Sequence, residues 1–324
     1  MMKLADYFTE RDMAMCSLAK QVGVDYGVVC LPERKDFDLT DAAHWASYLD
    51  GFMRQGIRPW VIEPLPNSLY DMVKCGLPGA EEATEKIKAI LALMGRFHLP
   101  VLCLNFMAHI GWLRTSSNHP LRGGALGTAF RLEDFVPQDD FSISAQQLWY
   151  NLSEFFHEIV PVAEKYDVRL ALHPDDPPVS ALGGVSRILT SLEAIDKAVH
   201  LVDSPCLGVT LCQGCYSAMG EDINAVIRHF AGQDKLFFVH FRDICGVRDN
   251  FYETFHDDGQ TDMAQAIRTY AEVGYDGPVR VDHVPAMAGE ENGTPGYTRL
   301  GRLYAIGYLK GLMDGCETGN AGCI

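Results

Sequence analysis

Seven short β-rich runs separated by helical patterns constrain this chain more than any other feature of its sequence. The runs are YGVVCLP (26–32), RPWVIEPL (58–65), PVLCLNFM (100–107), VRLALHP (168–174), LGVTLCQG (207–214), LFFVHFRD (236–243) and PVRVDH (278–283). Between them, helical patterns lie near 41–55, 80–95, 144–165, 190–202, 219–230, 262–273 and 299–313. Strand and helix in alternation is the signature of parallel βα units, because a parallel strand needs a long crossover to re-enter the sheet from the same end. Thr40 or Asp41 is placed to cap the first of these helices, and Asp262 the sixth.

Closing a (β/α)8 barrel takes an eighth strand. The opening MKLADYF, ahead of a helix-like ERDMAMCSLAKQVG, is the candidate, although it carries little β propensity. A doubly wound sheet would keep the seven runs and leave this segment as a cap. The barrel is favoured because polar residues gather at the ends of several successive strands rather than at one crossover. CLPERKDF, after the first clear strand, holds neither G-x-G-x-x-G nor a Walker A sequence, which disfavours a dinucleotide fold. The expectation is a TIM barrel forming one catalytic domain over residues 1–324. Two long insertions, 108–143 and 244–261, follow the strands near 100–107 and 236–243 and should lie on its catalytic face. NLS at 151–153 fits a glycosylation pattern but falls inside a predicted helix.

Charge narrows the partners. Lys+Arg 27 against Asp+Glu 43 gives a formal net charge of -16, which argues against nucleic acid or an anionic membrane as the main partner. An apolar fraction of 48% is ample for a core. The ten cysteines are scattered, several of them in strand-like runs, where a thiol behaves as a small hydrophobe. With no basic leader and no apolar stretch of ~18 residues, a cytoplasmic setting is expected.

Four possible metal ligands recur at equivalent places. His173 ends LALH, Cys212 lies near the end of VTLC, His240 lies in FFVH and Asp282 in VRVD. Each is separated from the next by about one βα unit. The C-terminal ends of barrel strands converge on the axis, so two imidazoles, a thiolate and a carboxylate should meet there. That mixed set suits Mn²⁺, Fe²⁺, Co²⁺ or Zn²⁺, and the thiolate argues against Mg²⁺ or Ca²⁺. Taken singly, each residue is more readily a structural histidine or an inert thiol; it is the fourfold coincidence that carries weight. Cys215 competes for the sulfur role, but it follows what reads as a glycine turn, whereas Cys212 continues its strand.

Around this point lie groups able to move protons or hold an anion. His283 is adjacent to Asp282 and in a strict strand would face the other way, unless the chain turns at the strand end. Tyr297 and Arg299 return in GTPGYTR. Asn105, Trp112, Arg114 and His119 come from the insertion after the 100–107 run, and Arg187 and Arg242 are further cations. Arg114 stands out beside Trp112, since a guanidinium fork matches a carboxylate. In HPDDPP, Asp175 or Asp176 can orient a neighbour while the prolines fix the loop.

The segments LNFMAHIGWLRT, LALHPDDPP, GVTLCQG, FFVHFRD, HDDGQTDM, GYDGPVRVDH and TPGY, in this order, resemble the mannonate dehydratase family. The likeness covers most of the chain from about residue 100. It implies a xylose-isomerase-like TIM barrel, metal ligands at His173, Cys212, His240 and Asp282, and a catalytic pair at His283 and Tyr297, with His283 nearer the leaving hydroxyl. It further implies that one Mn²⁺ or Fe²⁺ holds hydroxyl and carboxylate oxygens of D-mannonate, a product of 2-dehydro-3-deoxy-D-gluconate plus water, and a homodimer. Asn105, Trp112, Arg114, Asp175, Arg187, Arg242 and His256 are the residues expected to bind the sugar acid.

Departures from the family pattern fall outside the ligands. The opening FRWYG is replaced by MKLADYF, SFHE by NFYE with Tyr252, and HLRNV by HFRDI with Asp243. Val284 stands where glycine follows DH, and Cys215 where a serine is typical. These departures touch substrate-recognition loops, so dehydration of another aldonate is an alternative, and two other readings follow from the residues. An isomerase or epimerase on the same scaffold would draw on a pair of strand-end glutamates, and Glu63 alone fits. A non-catalytic binding barrel would have lost a ligand or Tyr297.

Overall fold

Lys3–Phe8, the weakest strand of the sequence reading, closes the barrel. It pairs in parallel with Pro278–Val281 on one side and Tyr26–Val29 on the other. Ladder hydrogen bonds on both edges and burial of Ala5 and Phe8 override its low intrinsic propensity. The structure is a computed structural model and describes residues 1–319. Around the barrel the strands run in chain order: Lys3–Phe8, Tyr26–Val29, Arg58–Ile62, Val101–Leu104, Arg169–Leu172, Leu207–Cys212, Leu236–Phe241 and Pro278–Val281.

Both faces of these strands are covered, which is why they read as continuous apolar runs. Ala5, Val28, Val61, Val101, Cys103, Ala171 and Phe238 form one buried cluster. Their alternates Val29, Ile62, Leu102, Leu170, Val209, Val239 and Val279 belong to the larger cluster shared with the helices. Period-two alternation therefore divides each strand between the barrel interior and the helical jacket.

The helical jacket follows the patterns closely: Met13–Gln21, Ala42–Arg54, Ala80–Arg96, Ala145–Lys165, Leu192–Val199, Ile223–Ala231, Met263–Glu272 and Arg299–Gly319. Asp41, not Thr40, caps the Ala42–Arg54 helix by accepting from the Ala43 N–H, and Asp262 accepts from Gln265 N–H. Asn151 of the NLS triplet is buried, donating to the Lys74 carbonyl at 2.9 Å and accepting from Gln147 at 2.7 Å, so it is a packing residue. Two helices escaped the sequence reading, Asn67–Cys75 and Gln213–Met219. The second corrects the reading of Cys215, which sits in a helix rather than after a glycine turn. Gly214 is required there for another reason: a Cβ would lie 2.3 Å from Arg242 Nε.

The two insertions build one layer together. Ser116–Pro120 and Leu126–Arg131 from the first pair with Asn250–Glu253 and Ile244–Val247 from the second, as a four-stranded antiparallel sheet. Phe251 opposes Phe130 across it, and both are buried with Val179, Leu182, Ala218 and Ile244. Burying a side chain of that size stabilises by about 1.5–3 kcal/mol. No helix among the described residues is long and apolar enough to cross a membrane.

Candidate active site

His173, Cys212, His240 and Asp282 meet at the C-terminal end of the barrel. Cys212 and His240 occupy paired positions on neighbouring strands. His173 and Asp282 each lie one residue beyond a strand, and their N–H groups continue the ladder to Leu104 O at 2.7 Å and Phe241 O at 3.0 Å. The ligating atoms of Cys212, His240 and Asp282 are all within 4.8 Å of one another, as are those of His173, Cys212 and Cys215. All five side chains are buried.

The two imidazoles are aimed at each other. His173 Nδ1 donates to the Pro174 carbonyl at 2.7 Å, and His240 Nε2 lies 3.2 Å from Glu63 Oε2, to which it donates. Those bonds leave an unprotonated nitrogen on each neutral ring, His173 Nε2 and His240 Nδ1, only 3.1 Å apart. Two lone pairs facing at that distance repel unless a positive charge sits between or beside them. Burial works against charge on His173, yet the Cys212 thiolate and the Glu63 carboxylate raise its pKa to about 9. Burial likewise opposes a thiolate at Cys212, but hydrogen bonds from Cys215, His173 and His240 and the Arg242 charge hold its pKa well below the usual thiol range. Cys215, next to that thiolate, is pushed up and stays protonated. Asp282 Oδ1 is buried and makes no hydrogen bond, its nearest cation being Arg280 Nη1 in an ion pair at 3.0 Å. A soft anion, a hard anion and, once the His173 proton is displaced, two imidazole lone pairs clustered at this end of the barrel are a fitting donor set for one first-row divalent cation.

Glu63 and Arg280 surround this set, and neither was assigned a site role from sequence. Glu63 follows Arg58–Ile62, and Arg280 lies 3.2 Å from it and 3.0 Å from Asp282. Burial would raise the Glu63 carboxyl, but Arg280 and His240 hold it at about 2. Cys103 donates to Glu63 at 3.2 Å and accepts from Thr210 at 3.1 Å. Charges embedded in apolar strand runs were the available signal for both residues.

His283 turns as the sequence required. Its φ of 29° is in the left-handed region that a residue with a Cβ rarely adopts, a local cost borne at this functional position. The turn lets two adjacent residues face the same way: His283 Nε2 lies 3.6 Å from Asp282 Oδ1. Val284 N–H bonds to Gly296 O at 2.9 Å, which carries the next residue, Tyr297, into place. The Tyr297 ring stands edge-on to His283 with centroids 5.3 Å apart, and Trp112 covers His283 from another side at 4.8 Å. Burial, then the Asp282 charge, pushes the Tyr297 phenol up, so it is protonated at neutral pH.

A cavity of about 580 Å³ opens over these groups, with Glu63, Asn105, Trp112, His173, His240, Asp282, His283 and Tyr297 in its wall. The five other residues expected to bind substrate lie outside this wall. Arg114 and Arg242 are buried and gripped by Asp176 (2.7 and 2.6 Å) and Glu253 (2.5 and 3.1 Å). Arg187 donates to the carbonyls of Ile110 and Gly111 and pairs with Asp175 at 3.5 Å. Asp175 accepts from the backbone of Ile188 and Leu189 at 2.9 and 2.7 Å, so it holds its own loop. His256 is fully buried, bonded to Phe241 O at 2.7 Å, with its pKa lowered to about 4 by burial. Each of the five has a structural partner, although the Nε atoms of Arg114, Arg187 and Arg242 and Nδ1 of His256 make no hydrogen bond. Glu253 was missed: it links Arg114, Arg242 and His283, whose Nδ1 is 2.7 Å away, and it also accepts from Thr128.

The departures sort differently. Tyr252 stacks on His119 at 4.1 Å, away from the ligands. Arg299 is paired with Asp12 at 2.6 Å. Asp243 is buried and accepts from Ile244 N–H and Thr261 N–H at 2.9 and 3.2 Å, its pKa raised by burial to about 6. Val284 is buried.

The closed barrel and the candidate donor set at its C-terminal end define a TIM-barrel protein with a metal-competent site. Comparison with known proteins narrows it. The D-mannonate dehydratase (UxuA) family model matches residues 1–142 and 138–321. Mannonate dehydratase of Streptococcus equi subsp. zooepidemicus is 30% identical over 289 residues, 80% of this chain and 79% of the relative. Mannonate dehydratase 2 of Halalkalibacterium halodurans is 31% identical over 293 residues, 81% and 83% of the two chains. The crystal structure of mannonate dehydratase from Streptococcus suis serotype 2 superposes with a TM-score of 0.89 at 27% identity, covering 99% of this chain and 95% of that one. An L-ribulose 3-epimerase structure shares the fold alone, at TM-score 0.65 and 14% identity. The chain belongs to the mannonate dehydratase family of hydro-lyases.

Proposed function

We propose that this protein dehydrates D-mannonate to 2-dehydro-3-deoxy-D-gluconate. The observation that carries this reading is the 3.1 Å approach of His173 Nε2 to His240 Nδ1, beside Cys212 and Asp282 and within one cavity with His283 and Tyr297. His173, Cys212, His240 and Asp282 would hold one Mn²⁺ or Fe²⁺ per chain. Such a cation supplies positive charge against the negative charge that builds up beside the carboxylate as the C2 proton leaves.

The remaining work falls to side chains. The C2–H bond breaks with its electrons forming the C2=C3 double bond, the C3–O bond breaks, and the departing hydroxyl takes a proton to become water. The resulting enol tautomerises to the 2-keto acid. His283 suits the leaving-group end. Its Nδ1 is anchored by Glu253, and its Nε2 is left to deliver a proton into the cavity. Tyr297 stands at the C2 end, against the far edge of the His283 ring, and would take the C2 proton as its phenolate, having first given up its own proton with the help of the Arg280 charge and of a bound cation. Glu253 fixes the imidazole orientation, while Trp112 and the sheet formed by the insertions shield the site from water. Membership in the family further supports a homodimer in the cytoplasm.

The test is turnover with isotopic exchange. Tyr297→Phe is expected to abolish both dehydration and exchange of the C2 hydrogen with solvent. His283→Asn is expected to abolish dehydration and retain exchange. Near wild-type dehydration by both variants with metal bound would overturn the assignment.

A further inference from the structure

We infer that Arg11 holds the substrate carboxylate and that the cavity is charge-matched to a sugar acid carrying one negative charge. This rests on the reading above that the site takes a sugar acid. Three arginines line the cavity: Arg11, Arg280 and Arg302. Arg280 is committed to Glu63 and Asp282, and Arg302 to Asp6 at 2.5 Å. At the mouth, Asp12 is paired with Arg299, and Glu10 with Arg34 at 3.1 Å. Arg11 has neither an ion pair nor a hydrogen bond among the described residues. It sits in the turn after Lys3–Phe8, solvent-exposed and lining the cavity, so its long side chain can swing onto a ligand.

Formal charges give the same answer. The Cys212 thiolate and Asp282 offset a divalent cation. Glu63 offsets Arg280, Asp176 and Glu253 offset Arg114 and Arg242, Asp6 offsets Arg302, and Asp12 offsets Arg299. Leaving aside His283 and Tyr297, whose charges change with the proton they carry, one positive charge, Arg11, is left over. That surplus complements a monoanionic aldonate, whereas a dicarboxylic or phosphorylated sugar acid would bring unmatched negative charge into a confined space. A guanidinium fork takes two carboxylate oxygens at once, and those oxygens keep lone pairs for a cation on their other side. The sequence reading assigned this role to Arg114, whose two terminal nitrogens are already engaged by Asp176 and Glu253.

Calorimetric titration of the Mn²⁺-loaded protein tests this, with Trp112 fluorescence as a second readout. The probes are D-mannonate, D-gluconate, D-galactonate, neutral D-mannitol and the dicarboxylate D-mannarate. Arg11→Ala is expected to weaken binding of the preferred hexonate by about 10- to 100-fold, the loss of a charge-assisted hydrogen-bonded pair. Mannitol binding should be unchanged, Arg11→Lys should recover part of the loss, and mannarate should bind the wild type no better than the hexonate does. Arg11→Ala binding hexonates as tightly as wild type, or losing mannitol affinity equally, would overturn the assignment. Arg11-dependent hexonate binding without any turnover would uphold it while removing the dehydratase reading. Turnover of D-mannonate unaffected by Arg11→Ala would do the reverse.

Discussion

His283 Nδ1 lies 2.7 Å from Oε1 of Glu253, a carboxylate that comes from an insertion and not from a barrel strand. The same oxygen takes Arg114 and Arg242, so one carboxylate ties the His283 imidazole to the sheet that covers it. Burial would raise the Glu253 pKa, but Arg114 and His283 hold it at about 2, below its unfolded value. Its contribution to stability is therefore complete above about pH 4.5 and lost as pH falls toward 2. Glu253→Gln leaves two buried guanidiniums short of an anion. The variant should lose about 3–5 kcal/mol at neutral pH, with a deficit that shrinks below pH 4 in denaturant melts. Its kcat should fall by at least about tenfold, as for loss of other imidazole-orienting partners.

Cys212 supplies the only anionic sulfur in the donor set, because Cys215 is held as a thiol beside it. Cys212→Ser should reduce metal content measured after dialysis to a small fraction of wild type. In the Co²⁺-loaded protein, the near-ultraviolet sulfur-to-metal absorption band should disappear. Cys215→Ser should retain both, and a band lost in Cys215→Ser but kept in Cys212→Ser would reverse the assignment.

Asp243 carries a pKa raised by burial to about 6, with no cation in contact. A raised carboxyl favours the folded state below its unfolded pKa near 4, and that advantage is lost as pH rises through 6. Asp243→Asn keeps an acceptor for the Ile244 and Thr261 N–H groups without the buried charge. It should stabilise the protein by up to about 3 kcal/mol at pH 8 and by little at pH 4. Thermal melts at the two pH values check this, and equal shifts at both would contradict it.

Gly214→Ala would place a methyl group 2.3 Å from Nε of Arg242, whose side chain Asp176 and Glu253 pin in place. Neither side can yield cheaply, so the variant should lose about 1–3 kcal/mol of stability. Metal affinity should fall with it, since Gly214 lies between Cys212 and Cys215. Unchanged melting and metal content would show that Arg242 has room to move.

The barrel and the convergence of His173, Cys212, His240 and Asp282 were legible because each of these residues terminates an apolar run, and closure of the barrel brings the strand ends together. Lys3–Phe8 was barely legible, since its strand state comes from pairing on both edges rather than from its own residues. The sequence reading chose Asp175 over Asp176 for the substrate, whereas Asp176 is the one that lines the cavity. Their loop turns one toward the Ile188 and Leu189 N–H groups and the other toward Arg114 and Arg242. The arginines looked available for a ligand because their partners lie far along the chain: Glu253 is reached from Arg114 only by pairing of the two insertions. Helix Gln213–Met219 was hidden by Gly214, whose role is close approach to Arg242 and not a turn.

Turnover of D-mannonate by protein stripped of metal with a chelator, and then reloaded, tests the central claim most directly. The stripped protein should form no 2-keto-3-deoxy acid, and adding Mn²⁺ or Fe²⁺ should restore one equivalent of it per substrate consumed. Dehydration at an undiminished rate in metal-free protein would contradict the account.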